Sequence, residues 1–392
     1  MTGFFHQPRF ANNRALTAAI ACAVVCGIVF GLSMPLISLR LEYMTGSGLL
    51  VGLNGAAAAL STLVMAPIVP RLMAKAPARA LLAGSLALSA LMFLVFPHFP
   101  NVWAWFAMRF TFGAFVTVVF VISETWINQI VTPARRAFIL GIYGTALSAG
   151  FGIGGLLFAA FSMAGDLLFY IGSGIFLLGT LPVLLLRGPQ AVAPSPDDSS
   201  TRALIAAAKT APAAILAGLA FGAIETLIFS LLPVYAERIE LDTVAIGMMV
   251  FAVAMGALCF QIPLGWLADR TDRRATLTGI ALVATIGPVL VWAAGPHLGL
   301  LLPILFIQSG VASGLYTVGL SLLGERFTGG AIAGANAAFI FAYGLGSFIA
   351  PPVAGTAMDG FGPAGLLLVL GATAGGYLLI LLVRPHPTAR TS

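Results

Sequence analysis

Apolar runs of about 20 residues, each long enough to cross a bilayer as a helix, recur along this chain from Leu16 to Val383. In lipid every backbone polar group must be satisfied within the protein, which leaves helices or a closed barrel. Barrel strands would be about half as long and would alternate in polarity. Charged residues make up only 8% of the chain, against about 25% in a soluble domain. The sequence therefore predicts an all-α integral membrane protein.

Twelve such runs can be counted, and the first lacks a cleavage pattern, so we interpret it as an uncleaved anchor. The predicted spans begin near Arg14, Leu49, Ala80, Val102, Phe138, Leu167, Ala211, Ala245, Ala275, Leu300, Ile332 and Ala364.

The basic residues are distributed unevenly once the spans alternate across a membrane. Of the 19 Lys and Arg residues, 16 fall on one side, Arg40 and Arg238 fall on the other, and Arg109 lies within a span. This is the positive-inside pattern, which predicts that both termini are cytoplasmic. The net charge of +6 is therefore a sign of topology, and we expect no nucleic-acid partner.

The chain carries few groups that could serve redox, metal or nucleotide chemistry. Cys22, Cys26 and Cys259 all lie inside spans, and we interpret them as packing residues without a disulfide or a metal. The P-loop, the zinc motif H-E-x-x-H and the serine motif G-x-S-x-G are all missing. We expect no cofactor, no metal site and no enzyme.

A polar stretch divides the chain into two halves that align with each other. It runs from Arg187 to Lys209 and contains Pro194-Ser-Pro-Asp-Asp-Ser-Ser-Thr201, a composition typical of linkers. Pro35-x4-Arg40-x-Glu42 recurs 198 positions later, Glu124 recurs as Glu325 after 201, and Tyr143-Gly144 recurs after 200. We predict an N-terminal six-helix bundle at 1–187, a cytoplasmic linker at 188–209 and a C-terminal six-helix bundle at 210–392. Parallel repeats of this kind place a substrate site at their interface near the midplane.

Three motifs in the loops and spans carry a family resemblance. Gly265-Trp-Leu-Ala-Asp269-Arg270-Thr-Asp-Arg273-Arg274 resembles the loop signature G-x-x-x-D-R/K-x-G-R/K-R/K of the major facilitator superfamily, with Asp272 in place of the second glycine. Arg109-x3-Gly113 resembles the span-four element R-x-x-q-G, and Gly150, Gly154 and Gly155 resemble part of the antiporter motif. The resemblance implies two pseudo-symmetric six-helix bundles and secondary transport by alternating access.

A narrower resemblance involves Ser123-Glu124-Thr125-Trp126-Ile127-Asn128, followed by Arg135-Arg136 and Tyr143. This segment is similar to the E-S-W-L-N segment of the YcaD-like branch of bacterial facilitators. That branch implies a bacterial inner-membrane transporter and leaves the substrate open.

Two ionisable residues lie inside spans, where charge is costly and usually faces a cavity or a partner. Glu225 in span seven has Gly27 as its first-half counterpart, so its carboxylate is an asymmetric addition. It either binds a proton or a cationic substrate group, or forms a neutral hydrogen bond between helices. Arg109 either takes part in proton coupling, as the resemblance suggests, or acts as a structural ion pair or hydrogen-bond hub.

Other residues form two sets of candidates. One set of charged residues near the inner ends of spans either forms a conformational latch or serves topology alone: Glu124, Arg135, Arg136, Asp269, Arg270, Arg273, Arg274 and Glu325. A set of polar residues inside spans either lines a cavity or forms hydrogen bonds between helices: Asn54, Gln261, Gln308, Tyr316, Asn336 and Tyr343. The repeated Arg40, Glu42, Arg238 and Glu240 are interpreted as structural punctuation or an outer gate.

The sequence favours a proton-coupled exporter of small amphipathic or cationic compounds, with a small-molecule substrate, protons and the lipid bilayer as its partners. We expect it to act as a monomer. One alternative is an importer or facilitator of a small organic solute, in which Arg109 would bind an anionic group. Another is a transporter-like sensor without flux.

Overall fold

Twelve long helices make up nearly all of the computed structural model, which describes residues 9–131, 133–185, 191, 208–327 and 331–383. All twelve are long and apolar enough to cross a membrane. The helices are α1 (Arg9–Thr45), α2 (Gly48–Met65), α3 (Ala78–Val95), α4 (Val102–Ile130), α5 (Pro133–Phe161), α6 (Leu167–Leu185), α7 (Pro212–Arg238), α8 (Thr243–Arg270), α9 (Arg273–Ala294), α10 (Leu298–Arg326), α11 (Ala331–Phe361) and α12 (Ala364–Val383). The predicted all-α fold of twelve spans is confirmed.

Polar side chains cap the N-termini of several helices. Ser47, Asn101, Asp242 and Asp272 stand before α2, α4, α8 and α9, and each side chain accepts a hydrogen bond from a backbone N–H of the first turn. Such caps satisfy donors that a helix leaves free at its N-terminus. The departure of Asp272 from the facilitator loop signature therefore has a local cause, since this residue caps α9.

Helix packing repeats itself between α1–α6, called here the first half, and α7–α12, the second half. In the first half α1 packs on α5 and α6, α2 on α4, and α3 on α6. In the second half α7 packs on α11 and α12, α8 on α10, and α9 on α12. The halves meet where α2 packs on α11 and α5 on α8. This pairing is the pseudo-symmetry implied by the resemblance. The linker at 188–209 lies largely outside the described residues, so the domain boundaries stay a prediction.

Glycine allows the closest helix approaches. A Cβ at Gly31 would collide with Phe151 in α5, and one at Gly154 would collide with the α1 backbone near Ile28 and Leu32. Gly155, on another face of α5, contacts Gly247 of α8 across the halves. The glycine segment of α5 therefore brings α1 close within its own half and α8 close across the interface.

Candidate functional site

The basic side is the side of the bundle with the helix ends Met65, Ala78 and Arg273, and the far side is the side with Thr45 and Arg238. At the middle of α7, between these sides, lies Glu225. Its Oε2 accepts a hydrogen bond of 2.5 Å from the hydroxyl of Tyr343 in α11. Protein surrounds the carboxyl group on nearly all sides, yet the side chain keeps some accessible surface.

Backbone packing fixes this pair. Gly222 lies one turn before Glu225, and the space beside it is filled by the Tyr343 backbone and the Ser347 side chain. Ser347 Oγ donates to the Gly222 carbonyl oxygen at 3.0 Å. The two helices are thereby held in the register that places the Tyr343 hydroxyl on the Glu225 carboxylate.

Two further aromatic rings complete a central cluster, defined as Phe221, Glu225, Tyr316 and Tyr343. The ring of Phe221 lies 5.5 Å from that of Tyr316 and 5.9 Å from that of Tyr343, centroid to centroid. Tyr316 and Tyr343 are 6.3 Å apart at 80°. All four side chains are half-buried and keep some accessible surface although they lie deep within the spans, so the cluster faces an opening between helices.

A phenylalanine layer lies on the far side of the central cluster. Phe229, one turn beyond Glu225, packs on Phe151 of α5 with ring centroids 4.7 Å apart. Phe151 stacks on Phe30 of α1, and Phe30 stacks on Phe120 of α4. The layer therefore joins rings of both halves between the central cluster and the far side.

Glu124 of α4 lies near the basic-side end of that helix, which ends at Ile130. The preceding residue, Ser123, shares a 2.9 Å hydrogen bond with the hydroxyl of Tyr143 in α5. The Glu124 side chain is exposed although protein encloses it on nearly all sides, which is the combination expected of a residue facing a cavity.

The far side is closed by a network defined as Glu42, Ser47, Arg238 and Asp359. Arg238 Nε donates to Glu42 Oε1 at 2.8 Å, and its Nη2 donates to Asp359 Oδ1 at 3.1 Å. Asp359, at the end of α11, accepts hydrogen bonds from Ser47 Oγ and from the backbone N–H groups of Gly48 and Leu49. A carboxylate of the second half therefore caps helix α2 of the first half. Ser162 Oγ adds a 2.6 Å bond to Thr243 Oγ1 across the α5–α8 interface.

The repeated Arg-x-Glu pattern is used differently in the two halves. Arg238 bridges the halves, whereas Arg40 pairs with Asp166 of its own half at 2.7 Å. Asp359, which organises the far-side network, was not among the predicted residues. An isolated acid at the far end of span eleven was its only sequence signal.

Arg109 is buried, with 3% of its surface exposed. Its Nη2 donates to the Met34 sulfur of α1 at 2.7 Å, a weak acceptor. Its Nε and Nη1 are buried without a hydrogen-bond partner within the described part of the chain. The Arg109 side chain thus extends from α4 towards α1. The structure does not bring it into the central cluster.

The predicted cavity-lining residues lie at several different places in the structure. Tyr316 and Tyr343 belong to the central cluster, and Gln261 is a half-buried residue facing α5 near Gly144. Asn54 is buried and donates to the Trp105 carbonyl oxygen at 3.3 Å. The remaining two are Gln308, buried against Gly287 between α10 and α9, and Asn336, half-buried in α11.

The predicted latch residues of the α8–α9 loop make contacts within the second half. Arg273 donates to Asp269 at 3.3 Å and to the Ser321 carbonyl oxygen of α10. Arg274 donates to the Leu381 carbonyl oxygen of α12, and the Arg270 guanidinium lies 4.2 Å from the Trp266 ring centroid. The side chains of Arg135, Arg136 and Glu325 lie outside the described residues.

In the described residues, no group of three or more His, Cys, Asp or Glu side chains is placed to hold a metal ion. The arrangement offers carboxylates, tyrosine hydroxyls and aromatic faces in a central opening, with one side of the protein closed. These groups can bind a solute or a proton, and the two-half architecture can expose them to either side.

The family model described as Major Facilitator Superfamily matches residues 19–258 and 215–392. The chain belongs to the Major Facilitator Superfamily. The Bacillus subtilis protein YfkF, described as an uncharacterized MFS-type transporter, is 25% identical over 359 residues, covering 90% of this chain and 91% of the relative. The Shigella flexneri protein YcaD, described in the same words, is 24% identical over 283 residues, or 71% and 72% of the two chains. The resemblance to the YcaD-like branch is thereby confirmed.

Solved structures of the superfamily share this facilitator fold. A mutant of the nucleoside transporter NupG aligns with a TM-score of 0.78 at 14% identity, covering 94% of this chain and 99% of the other. A bacterial homologue of the human lysosomal transporter Spinster, in an inward-facing and unoccupied conformation, aligns with a TM-score of 0.73 at 13% identity, covering 96% of each chain. This facilitator is a multi-pass membrane protein and a secondary transporter.

Proposed function

We propose that this facilitator is a proton-coupled exporter of small amphipathic or cationic compounds. We place it in a bacterial inner membrane with both termini in the cytoplasm, which the positive-inside pattern supports. The observation that carries the proposal is the Glu225 carboxylate at mid-span, held at 2.5 Å by Tyr343 and still accessible. A single carboxylate there can hold either a proton or a cationic substrate group, and exchange of the two is antiport.

The opening of the central cluster supports a conformation that faces the cytoplasm. The phenylalanine layer and the far-side network cover the cluster on the far side. Accessible surface at Glu225 and Glu124 then reaches water from the basic side, which we take as cytoplasmic. A substrate entering there is released outside once the far-side network opens and the basic side closes.

The composition of the cluster supports a cationic or amphipathic substrate. Aromatic faces attract cations through their quadrupole, and the rings of Phe221, Tyr316 and Tyr343 pack together next to the carboxylate that Tyr343 contacts. Arg109 is displaced from this cluster and buried against Met34.

Arg109 also supports a second candidate function. Two of its donor groups are buried without a partner in the described residues, and buried donors of this kind are costly. A substrate carboxylate or phosphate reaching between α4 and α1 would satisfy them. This favours an importer or facilitator of a small organic anion.

Transport in oriented vesicles tests the proposal. Everted inner-membrane vesicles containing the protein are energised with an inside-acid pH gradient, and uptake of a fluorescent aromatic cation is followed with and without a protonophore. We expect uptake that the protonophore abolishes and that Glu225→Gln removes. The matched control is Glu240→Gln, which removes an exposed carboxylate on the far side.

Each other outcome has a definite meaning. Unchanged proton dependence in Glu225→Gln would remove this carboxylate from coupling. Uptake of organic anions, lost in Arg109→Gln, would favour the second candidate. Substrate binding to the purified protein without flux in vesicles would favour a sensor.

A further inference from the structure

Arg109 of α4 carries a charge that lies outside the central cluster. The residue is 3% exposed, and arginine stays charged at any physiological pH. Its Nη2 donates to the Met34 sulfur at 2.7 Å, but a thioether is a weak acceptor without charge. Its Nε and Nη1 are buried and have no hydrogen-bond partner among the described residues. The guanidinium therefore lacks acceptors for most of its five N–H groups.

The acidic residues of the first half do not supply a counter-charge to Arg109. That half contains three of them, Glu42, Glu124 and Asp166. Glu42 pairs with Arg238, and Asp166 pairs with Arg40. Glu124 lies 15 positions after Arg109 on the same helix, which corresponds to about 22 Å along the axis. Within the described ranges, no carboxylate of either half forms an ion pair with Arg109.

A buried charge without a partner is costly, and proteins balance it with an opposite charge or with a bound ion. We propose that Arg109 binds a small inorganic anion, chloride under cellular conditions, as its counter-ion between α4 and α1. The inference goes beyond the proposed function, because the site is separate from the central cluster and its ion is bound rather than transported.

The surroundings of the guanidinium favour a small ion over an organic one. Trp105 and Phe112, the neighbours one turn before and just after Arg109 on α4, are 3% and 1% exposed. The site is therefore closed to the carbon skeleton of an organic anion in this conformation, whereas a monatomic ion is close to a water molecule in size. Asn54 of α2 uses one of its two amide N–H groups on the Trp105 carbonyl oxygen. A further donor group therefore lies one turn from Arg109.

The test compares chloride with larger anions on the purified full-length protein in detergent, without substrate or a proton gradient. Thermal unfolding is followed in sodium chloride, sodium gluconate and sodium acetate of equal ionic strength. Chloride binding is measured separately from the line width of the chloride NMR resonance, which broadens when the ion exchanges with a protein site. The acetate samples report whether an organic carboxylate can take the same place.

Three variants separate a counter-ion from a general salt effect. Met34→Glu puts a carboxylate where the Met34 sulfur contacts Nη2, so the chain supplies its own counter-charge. Met34→Gln has nearly the same shape without the charge and is the matched control. Arg109→Gln removes the positive charge itself.

We expect the unmodified protein to melt about 3 °C higher in about 0.3 M chloride than in gluconate, with a shift that grows with the logarithm of the chloride concentration. Met34→Gln should keep this shift. Met34→Glu and Arg109→Gln should lose it, together with the line broadening.

Equal melting temperatures of the unmodified protein in chloride and gluconate would overturn the proposal, as would line broadening no greater than that of detergent micelles alone. A shift of the same size in Met34→Glu or Arg109→Gln would be a salt effect on the whole protein and would overturn it too. A shift produced by acetate and not by chloride would assign Arg109 to an organic anion and favour the second candidate function instead. None of these measurements requires transport, so failure of the proton-coupled export assay is a separate result.

Discussion

Removal of the Asp359 carboxylate should open the far side of the protein. In Asp359→Ala the N-terminus of α2 loses the acceptor of three hydrogen bonds, and Arg238 loses one of its two carboxylate partners. Loss of a helix cap costs about 1 kcal/mol. A partly exposed ion pair contributes up to about 1 kcal/mol, and the Asp359 side chain is 32% exposed.

The two contributions give about 2 kcal/mol in favour of the state with an open far side, or about a 30-fold change in the equilibrium. A protein closed on this side about 99:1 would become closed about 3:1. The Arg238–Glu42 pair remains in the variant, so the far side should still close in most molecules.

Spin labels across the α5–α8 interface can measure this change. Met163 and Val244 are 89% and 48% exposed at the far side, one in each half. Labels there report the opening as a new population at longer distance in pulsed dipolar spectroscopy. Cys259 is replaced by Ser to prevent labelling, since it is exposed while Cys22 and Cys26 are buried.

The matched control is Asp242→Ala. Asp242 caps α8 through the backbone N–H of Ala245, so this variant loses a helix cap on the same side of the membrane within one half. We expect its distance distribution to match that of the unmodified protein. An unchanged distribution in Asp359→Ala, or an equal change in both variants, would refute the argument that the cross-half cap holds the far side closed.

Three further changes test other contacts. Tyr343→Phe removes the hydroxyl that donates to Glu225, so proton-dependent transport should fall at least tenfold in the vesicle assay. The control Tyr377→Phe loses only a hydrogen bond to a backbone carbonyl oxygen and should keep proton-dependent transport. Gly154→Leu forces a side chain into the α1 backbone and should lower the stability of the fold by about 3 kcal/mol. The yield of folded protein in size-exclusion chromatography should therefore fall sharply. The control Gly279→Ala has open space beside it and should fold normally. Arg109→Lys should keep folded yield and lose proton dependence in transport, and a loss of folded protein would assign Arg109 a packing role.

The spans could be predicted because a segment that crosses the lipid must be apolar, and an apolar composition can be read directly from the sequence. Predicted and observed helix starts agree to within a few residues, and Glu225 stood out because its repeat counterpart is Gly27. The partner of Glu225 was less visible. Tyr343 lies 118 positions away, and only the packing of α11 against Gly222 brings its hydroxyl to the carboxylate.

Little in the sequence indicated the role of Asp359. Asp359 caps a helix that begins 311 positions earlier. Cap motifs are recognised within a few residues of the helix start, so a cap supplied by the other half leaves no local pattern.

Helix α2 has a second cap in Ser47, whose own side chain accepts from the Leu50 N–H. When the halves part at the far side, α2 keeps this internal cap, and water can take the place of the Asp359 carboxylate on the remaining amides. The helix therefore does not have to unwind at each cycle. A contact that stabilises one state and can be replaced by solvent in the other keeps both states close in free energy, so the same helix end can be docked and released many times without damage to the fold.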